Sequence, residues 1–229
     1  MKKIHYLLFI ALGAIFFSSC TSTDDKVKTQ DIYILVDNTE IIPESREGLI
    51  STESILKLMS SGGKVTWQKV NAVSLNSNKS IEFSLPEDAT RFQKKQAVEP
   101  FVKEFENIRE KFLGPEKKGT DNSSIYKPIC EALQKLEKSK SSKKTLIIIS
   151  DMIENSRFGN FYRDQDFKKL KARLDSSGVT LPETSNVKVV ILYDPLGDSK
   201  NEKRFDRAMS YWKQLFDAAE IPYSVEPNL

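Results

Sequence analysis

The chain has 229 residues, of which 39% are hydrophobic and 29% are charged. Its 35 basic and 32 acidic side chains give a formal net charge of +3, which is too balanced for a nucleic-acid-binding surface or a polybasic membrane patch. The length suits one domain of ordinary size whose stability comes from a hydrophobic core.

The first 19 residues have the pattern of a secretory signal peptide. Lys2 and Lys3 form a basic start, and Leu7–Phe17 is apolar but too short to span a membrane as a mature helix. Small residues then precede Cys20, and this ending resembles a bacterial lipoprotein signal, which is cut before a cysteine whose thiol is acylated. The resemblance implies a lipid anchor at Cys20, and the alternative is a plain secreted protein with an incidental cysteine. We therefore expect a signal peptide over residues 1–19, a lipidated cysteine and flexible tether over 20–29, and a single domain over 30–229.

Loss of this leader would remove histidine from the mature protein. His5 is the single histidine, so no Ser-His-Asp triad, Cys-His pair or histidine zinc site could form. Cys130 would be the one thiol besides the acylated Cys20, which excludes an intramolecular disulfide.

Predicted helices and strands alternate along the rest of the chain. Near-continuous runs of Ile and Val predict buried parallel strands, and apolar residues at three- and four-residue steps predict amphipathic helices. One segment, between Lys64 and Leu85, alternates around the turn signal Asn76-Ser77-Asn78 and predicts a β-hairpin. In chain order, the other predictions are a strand at 31–37, a helix over 46–59, a helix containing Val98–Phe112 with Pro100 near its start or at a kink, a helix containing Ile125–Leu136 after the capping-type residues 121–123, a strand at 145–151, a helix over 165–174, a strand at 187–194, a helix containing Phe205–Ala219, and a strand at 221–227.

This alternation predicts an α/β fold with a doubly wound, mostly parallel sheet and one antiparallel hairpin strand. In such a sheet the carboxyl ends of neighbouring parallel strands open onto one crevice. Asp37 and Asp151 each end a predicted strand, so we expect both carboxylates in that crevice.

Three short segments resemble the von Willebrand factor type A family, and the resemblance extends over nearly all of residues 30–227. The segments are Asp37-Asn38-Thr39-Glu40-Ile41 after the first strand, Gly119-Thr120-Asp121-Asn122-Ser123 ahead of a helix, and Ile149-Ser150-Asp151 at the end of a later strand. In that family the three loops form a metal-ion-dependent adhesion site, which holds Mg²⁺ or Mn²⁺ and leaves one position open for a partner's carboxylate.

The resemblance implies a role for four residues of this chain. Asp37 would bind the cation directly or orient its waters, Thr39 and Thr120 would supply hydroxyl ligands, and Asp151 would act mainly through water. A small hard cation prefers oxygen ligands of this kind and keeps some of its waters.

The chain departs from the family pattern at Ile41, which stands where a second loop hydroxyl is expected. One ligand is therefore missing and the site is degenerate, although Glu40 or Asp121 could replace it. The alternative is that Asp37 and Asp151 hold no metal and cap the N-termini of neighbouring helices.

An enzymatic alternative is a haloacid-dehalogenase-like phosphatase with Asp37 as nucleophile and Ser150 as its later hydroxyl. That family places a second acid two residues after the nucleophile, where this chain has Thr39, whose hydroxyl is a poor proton donor near neutral pH. We therefore predict a non-enzymatic module of the bacterial envelope, adhesive or scaffolding, that is anchored by lipid and binds a protein partner. We expect no nucleic-acid partner, and the strand-end site would make binding dependent on Mg²⁺ or Mn²⁺.

Overall fold

The structure is a computed structural model, and it describes residues 29–37, 48–70, 78–114, 123–157, 159–161, 163, 166–176, 178–193 and 198–229. The predicted leader, Cys20, Thr39 and Thr120 lie outside the described residues. Within the described part of the chain, no helix combines the length and the apolar character needed to cross a membrane.

Helices and strands alternate through the described residues in the predicted order. The strands are β1 (Gln30–Asp37), β2 (Gly62–Val70), β3 (Asn78–Ser84), β4 (Lys143–Ile149), β5 (Lys188–Leu192) and β6 (Tyr223–Glu226). The helices are α1 (Thr52–Leu58), α2 (Arg91–Leu113), α3 (Tyr126–Glu137), α4 (Phe167–Asp175) and α5 (Ser199–Ala218).

The six strands form one sheet in the order β3-β2-β1-β4-β5-β6. All neighbouring pairs are parallel except β2 and β3, which form the predicted antiparallel hairpin. The prediction of a doubly wound, mostly parallel α/β sheet is therefore confirmed. Strands β1 and β4 lie side by side at the centre, with Val36 opposite Ile149, so the residues that follow these two strands leave the same edge of the sheet.

Helices cover both faces of the sheet, which explains why the central strands are apolar without alternation. On one face, Leu35 and Ile148 pack with residues of α3, α4 and α5. On the other face, Ile34 and Ile147 pack with residues of α1 and α2. Successive residues of each strand thus enter two separate hydrophobic cores.

Several boundaries differ from the predicted ones, each for a local reason. Helix α1 begins at Thr52 and not near residue 46, because the Ser51 hydroxyl accepts a hydrogen bond from the backbone N–H of Ser54 at 3.1 Å and caps the helix there. Pro100 is well inside α2, which begins at Arg91 after a capping box, and not near its start. Strand β4 ends at Ile149, so Ser150 and Asp151 lie in the loop that follows it.

Candidate functional site

Asp37 is the last residue of β1 and lies at the carboxyl edge of the sheet, where it is only 4% exposed. Its Oδ2 accepts hydrogen bonds from the hydroxyls of Ser123, at 3.0 Å, and Ser150, at 2.9 Å. Three segments that are distant in sequence therefore meet at one carboxylate. The parallel register of β1 and β4 brings Ser150, which follows β4, to the same edge of the sheet as Asp37.

The loop that carries Asp151 is held by its own hydrogen bonds. Asp151 Oδ1 accepts from the backbone N–H of Ile153 at 3.0 Å, and Ser150 Oγ accepts from that of Met152 at 2.9 Å. Met152 has a left-handed φ of 62°, and its carbonyl accepts a 2.8 Å hydrogen bond from the indole of Trp212 on α5. This combination of turn and anchor fixes Asp151 next to Ser150 and hence near Asp37.

Glu154 is a buried carboxylate that the sequence does not predict. It is 1% exposed, and its Oε2 accepts hydrogen bonds from the backbone N–H groups of Ile125, at 2.7 Å, and Tyr126, at 2.8 Å. N–H groups at the start of a helix have no acceptor within the helix, and Glu154 supplies one for these two. A carboxylate at this end also interacts favourably with the helix dipole. Burial raises the pKa of Glu154 from its ordinary value of 4.5 to about 7; hydrogen bonds oppose this rise, and the charge of Asp37 adds to it.

The predicted capping of this helix is therefore wrong in its details. The hydroxyl of Ser123 donates to Asp37 and does not cap α3. The residue at the N-cap position of α3 is Ile125, whose side chain makes no capping hydrogen bond. The alternative role for Asp37 and Asp151, as caps of neighbouring helices, is filled at α3 by Glu154.

The described part of the site fits a hard cation in the type of its donors. Asp37, Ser123 and Ser150 present carboxylate and hydroxyl oxygens, which Mg²⁺ and Mn²⁺ accept as ligands. Among the residues that the structure describes, however, no group of three or more His, Cys, Asp or Glu side chains is arranged to hold a metal ion. Thr39 and Thr120, the two predicted hydroxyl ligands, are outside those residues, so their roles stay predictions.

Sequence signals differ in strength across this site. Asp37 and Asp151 follow apolar strands and are found from that position alone, whereas Ser123 belongs to a polar run that also suits a helix cap. Glu154 lies in a loop, and nothing in its neighbourhood distinguishes it from a solvated acid. Its role depends on a contact with residues 29 and 28 positions away along the chain.

The fold is a doubly wound α/β sheet with the strand order β3-β2-β1-β4-β5-β6 and one antiparallel pair at its edge. No protein-family profile matches the chain, and no curated protein matches it. Among solved structures, it is similar to an aerotolerance-related membrane protein from Bacteroides fragilis carrying multiple mutations to serine, with 15% identity, coverage of 86% of this chain and 90% of the other, and a TM-score of 0.32. It is also similar to the manganese-loaded TRAP protein of Plasmodium vivax, with 14% identity, coverage of 77% and 62%, and a TM-score of 0.31. TM-scores this low carry no functional conclusion.

Proposed function

We propose that the chain is a non-enzymatic protein-binding module of the bacterial envelope, anchored by lipid at Cys20, and that a cation in the strand-edge crevice takes part in binding. The observation that carries the proposal is the meeting of Asp37 with two hydroxyls from distant segments. Each hydroxyl donates its proton to the carboxylate, so lone pairs of its own oxygen can face a cation, although one lone pair of Ser150 already accepts from the backbone N–H of Met152. Thr39, Thr120 and Asp151 would add the remaining oxygen ligands and waters.

The burial of Asp37 supports binding over catalysis. An aspartyl nucleophile must approach a phosphorus atom, but Asp37 is almost fully buried and one of its oxygens already accepts two hydroxyl protons. Ser150, the second residue of the phosphatase hypothesis, is itself one of those donors. Hydrogen-bonded carboxylates of this kind are weaker nucleophiles, whereas they remain good ligands.

The direction of β1 supports an anchored module whose crevice faces outward. The described chain enters the sheet at Gln30, at the edge opposite to Asp37, and the eight residues of β1 separate the two edges. At about 3.3 Å per residue this distance is about 25 Å. A tether that ends at Gln30 would therefore allow the crevice to face away from the membrane.

The test is a calorimetric titration of the full chain, purified in detergent micelles, with MgCl₂ and MnCl₂. We expect saturable binding by the wild type, none by Asp37→Ala, and tighter binding by Ile41→Ser, which restores the missing hydroxyl. Asp31→Ala is the matched control, because Asp31 lies on the same strand near its opposite end. It should bind the cation like the wild type.

Two results would contradict the proposal. Absence of binding in both the wild type and Ile41→Ser would leave the crevice without a cation. Mg²⁺-dependent hydrolysis of p-nitrophenyl phosphate that is lost in Asp37→Asn would support the phosphatase instead. Circular dichroism of each variant separates loss of binding from loss of fold.

A further inference from the structure

Helix α5 carries a stripe of four exposed cations in its N-terminal half. Their spacing of three, four and seven residues places them within an arc of about 100° on the helix surface. Glu202 and Asp206 lie outside this arc, about 150° and about 110° from its centre. The four residues, here called the basic stripe, are Lys200, Lys203, Arg204 and Arg207.

The position of the basic stripe does not favour the helix. Lys200, in the first turn, opposes the macrodipole, whose positive end lies there, whereas the other three cations lie beyond the first turn, where this effect has faded. Asp198 supplies the favourable charge at this end, since its carboxylate accepts from the backbone N–H groups of Lys200, at 2.8 Å, and Asn201, at 3.4 Å. The macrodipole therefore gives no reason for a stripe of cations at this end of the helix.

The basic stripe lines a cleft. The cleft has a volume of about 460 Å³, within the range of sites that hold small ligands, and it is also lined by Ile153 and Phe161, whose side chains are nearly fully buried. Among the described residues, no carboxylate lies within ion-pairing distance of Lys200, Lys203 or Arg207. The cleft is thus a concave surface with an excess of positive charge.

The cleft adjoins the strand-edge crevice through one short loop. Ile153, which lines the cleft, donates its backbone N–H to Asp151, the residue after the Ser150 that contacts Asp37. Trp212, on the same helix as the basic stripe, holds the carbonyl of Met152 between them. A ligand that spans both sites would therefore cross only the loop that starts at Ser150.

We propose that this cleft binds an acidic segment of the protein partner, with several Asp or Glu residues next to the carboxylate that reaches the crevice. The proposal rests on the proposed function, because it supplies the chemistry of that partner. The basic stripe spans eight residues, and the seven rises between Lys200 and Arg207 give about 10 Å along the helix axis. An extended peptide covers this length with about three residues, so an acidic stretch of three or four residues matches it.

An anionic membrane is a less suitable ligand for the same charges. The cleft is concave, and it opens beside the sheet edge opposite to the one where the chain enters at Gln30. A flat lipid surface would meet the exposed ends of the cations but not Ile153 and Phe161. Membrane binding is therefore a separate outcome of the experiment.

The experiment measures fluorescence anisotropy of a fluorescein-labelled octa-aspartate peptide added to the full chain in detergent. We expect binding that weakens with salt, because exposed charges are screened, and no binding of an octa-asparagine peptide. The variant Lys203→Glu/Arg207→Glu should weaken binding at least about tenfold, since two attractive contacts become repulsive. Lys203→Gln/Arg207→Gln should weaken it less, and it guards against misfolding of the charge-reversed variant.

Lys94→Glu/Lys95→Glu is the matched control, because both lysines are exposed on α2, on the other face of the sheet. It should retain binding within about twofold, since its charges lie beyond the screening length from the cleft. Equal loss of binding in both charge-reversed variants would overturn the proposal, as it would reveal dependence on total charge alone. Unchanged binding in the α5 variants would overturn it directly.

Two further measurements separate the cleft from the proposed cation site and from lipid. In EDTA the wild type should still bind the peptide, but more weakly than in Mg²⁺. If the crevice holds no cation, Mg²⁺ will not strengthen peptide binding. The loss of binding in Lys203→Glu/Arg207→Glu should nevertheless remain. The vesicle measurement uses the Cys20→Ala chain, with and without Lys203→Glu/Arg207→Glu. Phosphatidylglycerol vesicles should bind these two proteins equally. Vesicle binding that depends on the basic stripe, together with peptide binding that does not, would replace the acidic partner by a membrane.

Discussion

Glu154→Gln is expected to remove a large part of the pH dependence of stability. The folded protein raises the pKa of Glu154 from 4.5 to about 7, mainly because the carboxyl is buried. A tenfold change in proton affinity corresponds to about 1.4 kcal/mol, so the total effect on the free energy of unfolding is on the order of 3 kcal/mol.

The sign of the effect follows from proton binding. Between about pH 4.5 and pH 7 the folded state holds a proton on Glu154 that the unfolded state has lost. The contribution of this group is therefore fully present at acidic pH and is lost as the pH rises through 7. Glutamine keeps an oxygen for the N–H groups of Ile125 and Tyr126 and has no charge to bury. The free energy of unfolding of Glu154→Gln should therefore not fall with rising pH in the way that the wild-type value does.

The assay is urea denaturation in EDTA at several pH values, followed by the fluorescence of Trp67 and Trp212, which are both fully buried. From acidic to mildly alkaline pH, the stability of Glu154→Gln relative to wild type should increase by about 3 kcal/mol. Glu137→Gln, at the exposed end of α3, makes the same change of charge and should follow the wild-type curve. Parallel curves for Glu154→Gln and wild type would refute the reasoning.

Three other predictions use separate parts of the molecule. Cys130 is fully buried and its pKa is raised to about 12, mainly by burial, so Ellman's reagent should label the Cys20→Ala chain only after unfolding; immediate labelling of the native protein would contradict this. Trp212→Phe should cost about 1–3 kcal/mol in urea denaturation, because the buried carbonyl of Met152 loses its donor, and a loss below about 0.5 kcal/mol would be inconsistent with that bond. Cys20→Ala should move the protein from the membrane to the soluble fraction, because acyl chains contribute about 0.8 kcal/mol per buried CH₂, and its retention in the membrane without an uncleaved leader would exclude the lipid anchor.

The sheet could be predicted from the sequence because its central strands carry a strong and simple signal. Runs such as Ile147–Ile149 are apolar on both faces, which happens when helices cover both sides of a parallel sheet. Helix boundaries were harder to predict, as α1 shows. A single hydrogen bond from Ser54 to Ser51 sets its start, and many serines in this chain could have made such a bond.

The candidate site could be predicted only where position in the sheet determines it. Asp37 lies at the end of β1 and Asp151 just past the end of β4, so their places at the same edge of the sheet follow from the topology, whereas a meeting of their side chains stays a prediction. Glu154 could not be predicted, because its environment is created by the start of α3 folding over a loop. Burial of a carboxylate depends on which partners tertiary structure provides, and a single sequence does not show these partners.

Because Asp37 has hydrogen-bond donors of its own, we expect the domain to fold without a cation. A buried carboxylate is costly without partners, and Ser123 and Ser150 supply two hydroxyl donors. Ser123→Ala should therefore lower the free energy of unfolding in EDTA by about 1.5–3 kcal/mol, the usual worth of a hydrogen bond to a charged group. Ser124→Ala, the neighbouring control, should change it by less than about 0.5 kcal/mol, as is usual for positions away from such contacts. If both variants unfold at the wild-type urea concentration, Ser123 is not a significant partner of Asp37, and the crevice would need a cation or another donor to keep that carboxylate buried.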